Sequence, residues 1–113
     1  DPGMFPALET AAWFWGNSSS LFASSPVATK QANPWGLHDT HGNVREWCWD
    51  WDGTYPAGSA TDYSGPSEGT ERMTRGGGWY DHETRHCRSA YRGSESPGTL
   101  SGYLGFRLAK SLP

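Results

Sequence analysis

Three short clusters of glycine, aromatic and arginine residues constrain this chain most strongly: Arg75–Trp79, Cys87–Arg92 and Gly105–Arg107. Such clusters indicate a fixed frame, because consecutive glycines let a strand kink or pass close under a tryptophan. The residues between the clusters follow neither a helical nor a strand period. The chain therefore divides into a frame and an irregular part that needs its own explanation.

The composition predicts a small, loop-rich domain. Hydrophobic residues make up only 35% of the 113 residues, which is below the usual share. Seven Trp and five Tyr partly compensate, because each aromatic side chain buries a large area. The net charge of −3 argues against a nucleic-acid partner. No apolar run reaches transmembrane length, so we expect membrane attachment only through an N-terminal anchor outside this sequence.

Few regular elements are predicted. Aromatic and polar residues alternate over about 44–51, which indicates a strand. The further predicted strands are Arg72–Arg75, Cys87–Arg92 and Tyr103–Lys110, separated by loops over 52–71 and 93–102. The remaining predicted elements are a helical turn within Pro6–Trp15, ended by Gly16, and a short extended segment over Pro26–Lys30.

The segment from Asp39 to Glu46 has the residue types of a calcium loop. Calcium binds hard oxygen ligands from carboxylates and backbone carbonyls, and Gly42 would allow the loop to turn. The same residues also suit a simpler arrangement, in which Asp39 caps a turn and Glu46 pairs with a nearby arginine. The spacing alone favours this simpler arrangement.

The histidines and cysteines leave several possibilities open. His82 and His86 would share one face of a helix and could bind a metal, but no helix is indicated there, so a solvated loop is favoured. His86 next to Cys87 is a weak nucleophile pair, because sequence neighbours rarely point at each other. Cys48 and Cys87 either form a disulfide or stay as buried thiols. Four tryptophans suit either a sugar-stacking platform or a loop-rich core: Trp47, Trp49, Trp51 and Trp79.

Four motifs in order resemble the sulfatase-modifying, formylglycine-generating-enzyme domain, a variant of the C-type lectin fold. The motifs are NPWGLHDTHGNVREWCWDW, RMTRGGGW, CRSAYR and GYLGFRLA, and the resemblance covers roughly residues 26–110. It implies an α+β, C-type lectin-like fold of which residues 1–113 form the C-terminal part. The N-terminal remainder of the domain would then be missing or present as a separate fragment. The family also implies a structural Ca²⁺ site formed by the side chains of Asp39 and Glu46 and the carbonyls of Gly42 and Val44.

The enzymes of this family use a cysteine pair just after the glycine-rich strand. Here that segment, Tyr80–His86, contains no cysteine, and Cys87 belongs to the next motif. A copper-thiolate oxidase needs two soft sulfur ligands close together. We therefore expect neither copper nor iron, and no catalysis. The alternative is an oxidase of the formylglycine-generating type, or an iron-dependent relative that uses His82 or His86.

The frame is similar in more detail to the variable proteins of diversity-generating retroelements. In that family the irregular positions derive from asparagine codons randomised at adenines, which rarely yields Lys, Glu, Gln, Met or Trp. From Tyr80 to Leu104 the sequence contains none of these except Glu83 and Glu95. Glu83 falls where the family often holds a fixed residue, whereas Glu95 does not fit. The resemblance therefore implies a variable ligand-binding region over about 79–107.

We expect this region to form one solvent-exposed face that binds an unknown protein or surface ligand on a bacterial or phage surface. Tyr80, Tyr91 and Tyr103 would be its anchors, since tyrosine favours adaptable binding surfaces, with Tyr91 pointing outward. The expected contact residues are Tyr80, Asp81, His82, Thr84, Arg85, His86, Tyr91, Gly93, Ser94, Ser96, Gly98, Thr99, Ser101, Gly102 and Tyr103.

Overall fold

A four-stranded mixed sheet organises the chain, preceded by one short helix. A computed structural model describes residues 6–18 and 23–112. The elements are α1 (Pro6–Ala11), β1 (Arg45–Trp51), β2 (Arg72–Arg75), a 3₁₀ helix (Thr84–Cys87), β3 (Gly93–Glu95) and β4 (Leu104–Gly105). The strand order is β3-β2-β1-β4, with β2 antiparallel to its neighbours and β4 parallel to β1. The expected α+β class is confirmed. No helix in the described residues is long and apolar enough to span a membrane.

The strand directions gather the irregular segments at one end of the sheet. The start of β1 lies beside the start of β4 and the end of β2, because Arg45 pairs with Leu104 and Glu46 pairs with Arg75. The long loop after β2 therefore leaves the sheet at the end where residues 101–103 enter β4. The connection from β3 to β4 crosses from one edge of the sheet to the other.

The predictions for β1 and β2 are confirmed, whereas the predicted strand over Cys87–Arg92 is wrong. This segment ends the 3₁₀ helix and then turns, and the strand begins only at Gly93. The Arg75 side chain accounts for the difference, since its Nη1 donates to the carbonyls of Ser89 (3.1 Å) and Tyr91 (3.0 Å). A side chain thus takes the acceptors that a neighbouring strand would otherwise use.

Three other predicted elements are shorter than expected or absent. The strand predicted over Tyr103–Lys110 is reduced to β4, because Arg107 turns away to bind the loop before β1. The helix predicted to reach Trp15 ends at Ala11, since Trp13 pairs with Gly42 in an isolated parallel bridge. The segment predicted as extended over Pro26–Lys30 contains a turn, in which Ala28 has a φ of 59°.

The buried core among the described residues is small. Phe14, Ala12 and Cys87 form one cluster with Leu8 packed against it, and Met73 is buried within β2. The tryptophans do not all serve as core, because Trp49 is 85% exposed. Few side chains are therefore fully buried, and much of the aromatic area stays at the surface.

Candidate ligand-binding surface

The glycine run after β2 lets the backbone pass tightly between two other segments. A Cβ on Gly77 would lie 2.9 Å from Cys87 Sγ, and its φ of +66° disfavours any other residue. A Cβ on Gly78 would lie 3.1 Å from the carbonyl oxygen of Asn43. The Trp79 amide then donates to that same oxygen at 2.8 Å. The expected close approach is confirmed, but the run packs against backbone and Cys87 rather than under a tryptophan.

Asp81 is the centre of a buried polar network beneath the loop. Its side chain is bound by the Arg45 guanidinium, by His86 Nδ1 at 2.8 Å and by the Gly78 amide at 2.8 Å. Asp81 is only 5% exposed. Burial raises the pKa of Asp81, but the hydrogen bonds from Arg45 and His86 outweigh this effect, so its pKa lies below the usual range. In turn, the hydrogen bond to Asp81 raises the pKa of Arg45.

Arg45 connects three parts of the irregular region to β1. Besides Asp81, it lies 3.8 Å from the carboxylate of Glu95 and 5.9 Å from the ring centroid of Tyr103. Sequence reasoning placed Arg45 only in a strand alternation and missed this role. Arg45 thus lies between two carboxylates, since Glu95 in β3 faces the same guanidinium as Asp81.

A group of neighbouring rings, here called the aromatic surface, consists of the exposed Trp15, Tyr80 and His82 and the half-buried Trp79 and Tyr103. Tyr80 is 51% exposed and stacks on Tyr103 with ring centroids 5.5 Å apart. Tyr80 also contacts Trp79 at 5.6 Å and His82 at 5.9 Å. His82 in turn lies 3.9 Å from Trp15. Trp15 was missed by the sequence analysis because it lies more than sixty residues from the rest.

The expected contact residues are mostly accessible, with one correction. The exposed ones are Tyr80, His82, Arg85, Ser96, Gly98 and Gly102. The half-buried ones are Thr84, His86, Tyr91, Gly93, Ser94, Thr99, Ser101 and Tyr103. Asp81 is buried, contrary to the expectation of a solvent-facing residue, because it neutralises Arg45 inside the loop.

The contact residues do not all lie at the same end of the sheet. The Trp79 indole donates to the Gly102 carbonyl at 3.1 Å, which joins the loop after β2 to the approach to β4. Tyr91 is half-buried, and its ring stacks on His86 with centroids 4.3 Å apart. The turn 96–99, by contrast, follows the far end of β3, about 10 Å along the strand from Gly93. The turn therefore forms a flank rather than the centre of the expected face.

The two cysteines and the two histidines of the irregular segment each have a defined environment. Cys48 and Cys87 are both free thiols, and burial raises the pKa of Cys87 to about 12, so its reactive thiolate is scarce at neutral pH. His86 is held by Asp81, and His82 packs on Trp15. No group of three or more His, Cys, Asp or Glu side chains in residues 6–18 and 23–112 is placed to hold a metal.

The four residues expected to bind calcium do converge on one pocket of about 300 Å³. Glu46, however, already carries a cation, since Arg107 Nε donates to its Oε2 at 2.6 Å and Nη2 donates to its Oε1 at 2.5 Å. Asp39 Oδ2 accepts from the Ala28 amide, while Asp39 Oδ1 is buried without a partner in the described residues. With Arg107 in this position, the arrangement does not fit a calcium ion, which needs the Glu46 oxygens as ligands.

Comparison with known proteins identifies the domains to which this chain is similar. Residues 5–112 match the model of the sulfatase-modifying factor enzyme 1-like domain. The chain is 41% identical over 112 residues to a formylglycine-generating enzyme of Streptomyces coelicolor, covering 95% of this chain and 33% of that protein. Its structure resembles Treponema denticola variable protein 1 with a TM-score of 0.80 and 40% identity, covering 88% of this chain and 35% of the other.

A second solved structure, PvdO from Pseudomonas aeruginosa, matches with a TM-score of 0.73 and 27% identity, over 94% of this chain and 41% of the other. The expected C-type lectin-like fold, of the type found in formylglycine-generating enzymes and variable proteins, is thereby confirmed. The chain spans about a third of the length of the relatives that it matches.

Proposed function

Because the chain belongs to the sulfatase-modifying factor enzyme 1-like domain family, we propose that it is a non-catalytic ligand-binding domain with an adaptable surface on a C-type lectin-like frame. The ligand is a protein or another molecule displayed on a surface, and the domain acts at a bacterial or phage surface. The proposal assigns contact to the aromatic surface, with Thr84, Arg85 and Ser101 beside it.

The observation that carries the proposal is the separation of exposed contact groups from a buried support. Tyr80 is half exposed at 51%, whereas Asp81, the next residue, is buried and fixed to Arg45. Side chains beside such an anchor can change without unfolding the loop, because surface substitutions usually alter stability by less than about 0.5 kcal/mol. Large rigid rings also give contact area at low entropic cost.

The similarity to Treponema denticola variable protein 1 supports this proposal. DNA sequencing next to the gene provides a direct test. We expect a near-copy of the segment that encodes 80–107, differing only at adenines, together with a reverse transcriptase gene. A locus that lacks both would remove the reason to treat these positions as variable.

A binding selection tests the surface itself. In a display library with Tyr80, His82 and Tyr103 randomised, we expect most members to fold and some to bind an arbitrary target such as hen lysozyme. A matched library at Arg45, Asp81 and Glu95 should yield few folded members, because these side chains form the buried network. Equal loss of folding in both libraries would contradict the proposal.

The second candidate is an oxidase, favoured by the 41% identity to a formylglycine-generating enzyme. Its mechanism would need a reactive thiol or an iron ligand from this chain. Burial of Cys87, with its pKa raised to about 12, works against the thiol, and the contacts of His82 and His86 work against a shared iron. Bound copper or iron, lost together with activity in His82→Ala or His86→Ala, would support this candidate instead.

A further inference from the structure

Arg107 is a built-in cation in the pocket where the family resemblance placed calcium. Its guanidinium reaches both oxygens of Glu46 and also donates to the carbonyls of His38 at 3.0 Å and Asp39 at 3.1 Å. One side chain thus binds both carboxylate oxygens of Glu46 in β1 and two carbonyl oxygens of the loop that precedes β1. Such a planar fork is well suited to a carboxylate, because it makes two parallel hydrogen bonds.

The loop that Arg107 binds has an unusual backbone. Asp39 has a φ of 55° and Asn43 a φ of 67°, conformations that non-glycine residues adopt at a cost. Gly42 between them has no room for a side chain, because a Cβ would lie 2.3 Å from the Trp13 carbonyl oxygen. A cation that joins the carbonyls of this loop to Glu46 stabilises a conformation that is otherwise strained.

The pocket also retains an unused oxygen. Asp39 is 9% exposed, and its Oδ1 is buried without a hydrogen-bond partner in the part of the chain that the structure describes. Asp39 and Glu46 line the same pocket with Gly42 and Val44. If the guanidinium were removed, two carboxylates and neighbouring carbonyls would surround the space, which is the oxygen-rich environment that calcium prefers.

We propose that Arg107 replaces calcium in this domain, so that the chain folds without the metal and Arg107 and Ca²⁺ exclude each other. Both cations need the Glu46 carboxylate, and two positive charges a few Å apart repel each other strongly when partly buried. The proposal concerns stability alone and does not depend on the ligand-binding function.

Thermal unfolding of the protein in EDTA, 10 mM CaCl₂ and 10 mM MgCl₂ tests this directly. For the unmodified protein we expect melting temperatures that agree within about 1 °C in the three solutions, since nothing binds. For Arg107→Ala we expect a melting temperature about 5 °C lower in EDTA. With millimolar affinity, calcium should restore most of that loss, because the metal then binds only the folded state.

Three further variants separate the cation from general effects. Arg107→Lys keeps a charge and should show no calcium response, and Arg107→Ala combined with Glu46→Gln should lose the response. Arg88→Ala, at an exposed arginine outside the pocket, should behave like the unmodified protein. If Arg107→Ala stays unfolded in every solution, Arg107→Gln takes its place in the test. The melting temperature of Arg107→Gln should then be higher in CaCl₂ than in EDTA. A calcium response in the unmodified protein, or none in the folded neutral variants, overturns the proposal.

Discussion

Replacing Asp81 by alanine is the sharpest test of the buried network under the loop. The side chain is 4% exposed and accepts hydrogen bonds from Arg45, His86 and the Gly78 amide. Its removal leaves the Arg45 guanidinium, itself only 19% exposed, without its main counter-charge. Breaking a buried pair by removing one partner costs about 3–5 kcal/mol. For a chain of this size, with roughly 4 °C per kcal/mol, the melting temperature should fall by about 12–20 °C.

Circular dichroism melts of Asp81→Ala and Asp81→Asn measure this loss, with Glu83→Ala as the control. Glu83 lies two residues away, is 54% exposed in its side chain and pairs with the exposed Arg85, so its loss should cost less than about 1 kcal/mol. Adding Arg45→Met to Asp81→Ala should restore part of the stability, because no unpaired charge then remains buried. If Asp81→Ala melts within 3 °C of Glu83→Ala, the reasoning about this network is refuted.

Three other predictions concern Asp81, Gly77 and Cys87. The stabilisation by Asp81 should be complete above the ordinary carboxyl pKa of about 4 and weaken as the pH falls further, because the pKa of Asp81 is lowered in the folded protein. In denaturant titrations from pH 7 to pH 2, the free energy of unfolding of the unmodified protein should fall more steeply than that of Asp81→Asn. Gly77→Ala should cost about 1–3 kcal/mol in a denaturant titration, because the residue has a φ of +66° and its Cβ would meet Cys87 Sγ at 2.9 Å; Gly98→Ala, with nothing near its Cβ, should cost far less. Native Cys87 should resist iodoacetamide at pH 8, with its pKa raised to about 12, and react only after denaturation. Because Cys48 is also free and only half-buried, the label is located by peptide mapping, and rapid labelling at Cys87 itself would contradict its burial.

The two longest strands could be predicted from the sequence. β2 was predicted with its observed bounds, and β1 within one residue, because a period-two alternation is typical of a strand. The burial of the side chains along β1 does not itself alternate. The simpler interpretation of Glu46, as a partner for an arginine, is also what the structure has. That arginine, Arg107, lies sixty-one residues away, so the pairing could not be assigned from spacing.

The sequence by itself predicted the three glycine, arginine and aromatic clusters and the irregular region between them. It could do so because such clusters restrict the local backbone conformation. Tertiary structure decided which irregular residues are buried. Aspartate is a residue type usually found at the surface. Asp81 is nevertheless buried, because it is the counter-charge of Arg45, which lies in β1 thirty-six positions earlier. Trp15 joins the aromatic surface through a contact with His82 that no local pattern encodes. A sequence period reports which face of an element is apolar, but charge neutralisation and ring stacking between distant segments depend on how the strands are ordered in the sheet.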